Sequence, residues 1–102
     1  MGDSLSSLRT FPADVRADGG YQLELVQRGE SPSDFRPMPD VGQGVIEIRL
    51  QSNGEYRIFY AARFEEAVYV LHCFTKKTRA TRKGDIDLGK QRYRAVLERR
   101  KK

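Results

Sequence analysis

Glu47, Arg49, Arg57 and the Lys76-Lys77 pair are the residues of this 102-residue chain whose types and spacing suit chemistry on an anion. Side chains two apart on a strand share a face. If the segments around 45–51 and 55–64 pair through the turn Ser52-Asn53-Gly54, then Glu47, Arg49 and Arg57 stand together. One of Lys76 and Lys77, closing a third strand, reaches that surface in either register. Arg92 and Tyr93, near the C-terminus, are expected to border it from a helix. The expectation is a sheet face without helical cover, lined by arginine, lysine and tyrosine and carrying no metal ligands.

Such a face suits phosphate. Arginine forks hold phosphate oxygens through paired hydrogen bonds, and an aromatic ring can stack on a base. RNA cleavage needs a 2′-hydroxyl deprotonated, a crowded phosphorane stabilised and a 5′-oxygen protonated. Arginine and lysine can neutralise the phosphorane. A lysine whose pKa is lowered by like charges, a tyrosine or Glu47 could move the protons. Any basic binding module would present similar residues, so composition permits cleavage without demanding it.

Plainer readings stand beside these. His72 lies two residues after Val70 in the most apolar segment, where a satisfied core histidine is the first reading and proton transfer the second. Cys73 reads as core packing, since no base is placed beside it. Tyr56, Tyr60 and Tyr69 occupy sheet-packing positions. Glu47 and Arg49 could form an ion pair worth little energy.

The charge is segregated. Residues 1–75 hold 7 Arg and no Lys against 11 acids, a net of −4; residues 76–102 hold 12 Lys and Arg against 3 acids, a net of +9. A concentrated positive field attracts polyanions. Arg79, Arg82 and Lys83 follow a buried strand and read as nucleic-acid contacts, with Arg92 beside them. Arg99 to Lys102 read as a solvated basic tail. One histidine and one cysteine are too few for a protein-only zinc site, and no cofactor is implied. A lone cysteine and the lack of a visible secretory signal fit a reducing cytoplasm. No stretch approaches the roughly 20 apolar residues that cross a bilayer, so no membrane partner is expected.

These residues need a scaffold, and the pattern supplies one domain over 1–102. Residues 4–29 read as helical, with Pro12 opening a second helix, Gly19-Gly20 weakening it and Gly29 stopping it. Residues 30–44 hold three prolines and two glycines and read as a loop, anchored to the core by Phe35 and Met38. Val45 to Gln51 alternates, Asn53-Gly54 turns the chain, and Glu55 to Phe64 returns. Ala67 to Thr75 is the most apolar segment and reads as the central strand, buried on both faces. Asp85 reads as the N-cap of a helix to about Leu97, with Ile86, Gly89, Tyr93 and Val96 on one stripe. The fold class is α+β: N-terminal helices, a twisted antiparallel sheet of three or more strands, and a C-terminal helix.

The blocks Gly44-Val45-Ile46-Glu47-Ile48-Arg49, Arg57-Ile58-Phe59-Tyr60, Val68 to Thr78 and Asp85-Ile86-Asp87-Leu88 occur in one order along the chain. Phe11-Pro12, Gln27-Arg28-Gly29, Pro32 to Met38 and Arg92-Tyr93 complete the series. Together they resemble the phage-derived HigB-like branch of the RelE toxin superfamily. That resemblance implies a RelE-like fold and a metal-independent endoribonuclease acting on ribosome-bound mRNA. It also implies a cognate helix-turn-helix antitoxin. Carried over by motif, Arg49, Arg57, Lys76, Lys77 and Tyr93 are the candidates: Arg57 for the phosphorane, Lys76 or Lys77 for phosphate or base, and Tyr93 for stacking or proton donation.

Two positions depart from the relatives. They carry a short strand before the Gly-Asp-Ser-Leu segment, whereas here Gly2-Asp3-Ser4-Leu5 follows Met1, implying an upstream start or a missing edge strand. Gly89 stands where relatives commonly have alanine, a cost of about 1 kcal/mol to the last helix at most. Two other function classes remain open at this point: a decayed relative that binds RNA or an antitoxin without cutting, and a phage-derived nucleic-acid-binding protein.

Overall fold

The computed structural model describes residues 4–64 and 67–101. Helix α1, Ser4–Arg9, is short and closes where the Thr10 hydroxyl donates to Ser7 O at 2.6 Å. Helix α2, Ala13–Gln27, starts after Pro12, whose carbonyl accepts from Arg16 N at 2.8 Å while its missing N–H costs nothing there. Asp14 in its first turn suits the positive helix end and accepts a hydrogen bond from the Ser52 hydroxyl. Gly29, at φ +84°, ends the helix, with Glu30 N on Leu25 O and Gly29 N on Val26 O. That pair of bonds is a Schellman cap.

The sheet is an antiparallel meander in the order β1-β2-β3-β4: β1 Phe35–Pro37, β2 Val45–Gln51, β3 Glu55–Ala61 and β4 Tyr69–Lys76. Arg49 sits opposite Arg57 and Glu47 opposite Phe59. Asn53, at φ +50°, makes the β2–β3 turn. The expected loop therefore contains a strand. Its three residues and its proline hid it, because proline is tolerated only where no ladder N–H is needed, as at an edge. Met38 anchors the segment, 6% exposed, but Phe35 does not; it is 42% exposed.

β4 is likewise not central: among the described residues it is an edge, and β2 and β3 are the inner strands. Its apolar composition comes from cover on both faces, since α1 and α3 pack against it. A bulge against Phe59/Tyr60 shifts its phase, so that Leu71 and His72 both lie on the α3 side. Expectations about a strand before Gly2-Asp3 lie outside the described residues.

The sheet has a core on each side. Phe11, Val15, Val26, Ile48, Leu50, Ile58, Tyr60 and Cys73 form one with α2, and Val45, Phe59, Ala61, Leu71, Phe74, Tyr93 and Val96 form the other with helix α3, Lys83–Lys101. The face carrying Glu47, Arg49 and Arg57 is therefore partly roofed by α3, against the expectation of an open face. The reason is that Val45, Phe59 and Ala61 share that face with the charges, and their apolar surface must be covered.

Gly89 explains itself here. A Cβ at this position would lie 2.9 Å from Phe59 Cδ2 and 3.0 Å from Val41 Cγ1. Alanine would add up to about 1 kcal/mol of helix propensity, yet it would push a fully buried ring, at about 1–3 kcal/mol of overpacking. Gly89→Ala is expected to lower Tm by a few degrees; a raised Tm in a thermal melt would overturn the packing account.

Candidate functional site

Glu47 organises the middle of the sheet. It is fully buried, and three guanidinium groups from three strands approach one oxygen. Its Oε1 lies 3.2 Å from Arg36 Nε of β1, 3.5 Å from Arg49 Nε of β2 and 3.7 Å from Arg57 Nε of β3. Only the Arg36 contact is a hydrogen bond; the Arg49 and Arg57 Nε atoms make none and interact as ion pairs. Thr81 Oγ1, from the β4–α3 connection, makes a long hydrogen bond of 3.4 Å to Oε2. A buried carboxylate is tolerable only with such partners.

The arginines differ in access. Arg57 is 3% exposed, and its two Nη atoms are engaged, donating to Glu55 Oε1 at 2.9 Å and to Tyr56 O at 3.0 Å. Its guanidinium holds the Glu55 carboxyl below the ordinary carboxylate value. Arg49 is partly exposed and lies 3.8 Å from Asp34. Arg36 is the most open of the three, and its Nη atoms have no partner among the described residues.

Arg36 forms part of a groove of about 480 Å³. One wall is the segment from Arg36 to Asp40; the other is Lys76, Arg79, Ala80, Thr81 and Ile86. Three cations against one carboxylate give the groove a positive field. Lys76 pairs in register with Glu55 and so stands on the Glu47 face, which makes it, rather than Lys77, the lysine that reaches the surface. Lys77, Arg79, Arg82 and Lys83 are all exposed.

Other sequence candidates are occupied elsewhere. Tyr93 does not border the groove: it is 7% exposed, lies against Gly42 and donates to Gln43 O at 2.6 Å. Its place on the apolar stripe of α3 buries it. Arg92 donates to Leu71 O at 3.0 Å, tying α3 to the bulge. Cys73 is buried, and burial pushes its thiol up to about 12, leaving it unreactive. Among the described residues no three His, Cys, Asp or Glu side chains are grouped to hold a metal, and no helix is long and apolar enough to cross a membrane.

A family model described as phage derived protein Gp49-like (DUF891) matches residues 6–94. The chain belongs to this family. The matched span encloses all four strands, both groove walls and most of α3. No curated protein and no solved structure is detectably similar to the chain.

In this Gp49-like protein the arginine–carboxylate cluster was legible by alternation, because Glu47, Arg49 and Arg57 do share one face. Arg36 and Thr81 were missed: one lies in a strand too short to show a period, the other in a loop that only the fold brings to Glu47. The sequence signal nearest to Arg36 is its place between Phe35 and Pro37, within a block already singled out.

His72 is a core histidine, as in the first reading, but satisfied at one ring nitrogen only: its buried Nδ1 has no hydrogen-bond partner among the described residues. It is 7% exposed and stacked on Phe74 at 19°, and its Nε2–H donates to Asp85 Oδ1 at 2.8 Å. Asp85 is thus a partner for His72 inside the first turn of α3, not an N-cap. Burial lowers the His72 pKa below its ordinary 6.5, and the Asp85 contact only partly opposes this. The fold therefore favours neutral imidazole. Its contribution to stability is complete above pH 6.5 and is lost as pH falls below that value toward the folded pKa. Melts at pH 7.5 and 5.5 should show a Tm drop on acidification that is smaller in His72→Gln; equal drops would contradict this.

Proposed function

We propose that this Gp49-like protein is a toxin of the RelE/HigB kind, an endoribonuclease that cuts ribosome-bound mRNA in the cytoplasm and is silenced by a helix-turn-helix antitoxin. The observation that carries the reading is the family match from residue 6 to residue 94, which spans a groove lined by Arg36, Lys76 and Arg79. In this reading a backbone phosphate lies in the groove. The 2′-oxygen forms a bond to phosphorus as the bond to the 5′-oxygen breaks. Arg36, Lys76 and Arg79 neutralise the phosphorane, and Arg49 extends the positive edge. Lys76 takes the 2′-hydroxyl proton, and solvent water protonates the departing 5′-oxygen. Arg82 and Lys83 extend contacts along the strand. Glu47, Tyr93 and His72 are buried and bonded within the fold, so they position groups and do not transfer protons to RNA.

The test is induced expression with growth and primer-extension readouts. Growth arrest with new 5′ ends in translated mRNA is expected; neither effect from wild type would sink the reading. A second reading, RNA binding without cleavage, is favoured by one observation: with those three groups buried, lysine is the main proton carrier left at the groove. It predicts oligonucleotide binding by wild type with no cut ends.

A further inference from the structure

The Glu47 cluster has an unusual geometry. All three arginines approach its Oε1 through Nε, the inner edge of the guanidinium. Burying a charge in this way is weak support for stability, since a well-packed apolar group often serves as well. Position is what the arrangement supplies. Arg57 spends its Nη atoms on Glu55 and Tyr56 O, and Arg49 turns one toward Asp34. Arg36, held at Nε, keeps its Nη fork unpartnered among the described residues while it lines the groove. The other oxygen of Glu47 is contacted by Thr81 on the facing wall. One sealed carboxylate thus touches both walls and grips the back of the most open arginine.

We infer that Glu47 is a positioning residue, which fixes the spacing of the two groove walls and aims the Arg36 fork at a backbone phosphate of single-stranded RNA between Arg36 and Lys76. This rests on the RNA reading above. Without the carboxylate Arg36 is a mobile exposed side chain that must be ordered on binding, at a cost in side-chain entropy. The phosphate contact would then be weakened along with the spacing of Thr81.

The test is a double-mutant cycle on the full chain, with a fluorescent single-stranded RNA oligonucleotide titrated by anisotropy at several salt concentrations and thermal melts alongside. Glu47→Gln and Arg36→Ala are each expected to weaken binding by about tenfold, the scale of one charge-assisted hydrogen bond. Each should flatten the dependence of log K on log salt by about 0.7, one phosphate contact on a single strand. The double variant should lose little more than either single, because both remove the same contact. Additive losses with the wild-type salt slope would show that Glu47 acts on the fold alone and would overturn the inference. If Glu47→Gln melts below the assay temperature, Glu47→Asp, which keeps the charge but shortens the reach, carries the same cycle with the same deciding outcomes. A wild type that binds no RNA would instead overturn the functional reading on which the inference rests.

Discussion

Arg57→Ala is expected to destabilise the protein by about 3 kcal/mol, near the lower end of the range for removing one partner of a buried ion pair. Arg57 is 3% exposed, so the truncation leaves a void, and a fully buried Glu47 loses one of its three cations. Glu55 also loses its donor at 2.9 Å. Arg36 and Arg49 still face Glu47, which keeps the loss from being larger. For a chain of this size such a loss lowers Tm by well over 10 °C, at roughly 4–8 °C per kcal/mol. Denaturant titration and thermal melts measure it. A change below about 1 kcal/mol would mean that Arg57 is not part of the structural core. The consequence for function is direct: lost activity in Arg57→Ala reports unfolding before it reports catalysis, although the motif made Arg57 the first candidate for the phosphorane.

If the proposed RNA cleavage is correct, Lys76→Ala is expected to do the opposite, keeping the fold and losing that reaction. Lys76 lies at the end of β4, partly exposed, and lines the groove; surface truncations of this kind usually stay within about 0.5 kcal/mol of wild type. A preorganised donor facing developing phosphorane charge is worth roughly 10²–10³ in rate. If Lys76 also takes the 2′-hydroxyl proton, the loss is at the upper end. Single-turnover cleavage of ribosome-bound mRNA, beside a melt showing an unchanged Tm, measures both halves. A loss of less than about threefold would move the chemistry to Lys77 or Arg79, and a large fall in Tm would show Lys76 to be structural.

Local pattern was enough for much of this protein. Strict alternation placed β2 at Val45–Gln51 and put Glu47, Arg49 and Arg57 on one face, because the two-residue repeat of a strand is a property of the backbone. Asn53 and Gly29 marked a turn and a helix end because so few residues adopt positive φ. The stripe Gly89, Tyr93, Val96 gave the buried side of α3.

What alternation could not give was which elements cover which faces. β4 reads as a central strand from its apolar run, yet it is an edge whose two faces are covered by helices. The face expected to be open is partly roofed by α3, which moves Tyr93 into the core. Arg57 passes from an open phosphate ligand to a buried ion-pair partner for the same reason.

The cluster that gave the first candidates thus keeps its members and changes its meaning. Sequence alone determined that Glu47, Arg49 and Arg57 are neighbours and that the cations crowd into the last quarter of the chain, since both follow from local periodicity and composition. Tertiary structure decided that Glu47 is sealed, that Arg36 and Lys76 rather than Arg57 and Tyr93 meet solvent, and that Thr81 closes the far wall. Burial and wall-to-wall spacing depend on contacts between distant segments, 34 residues apart for Glu47 and Thr81 and 50 for Gln43 and Tyr93, and no local repeat in the chain encodes those distances.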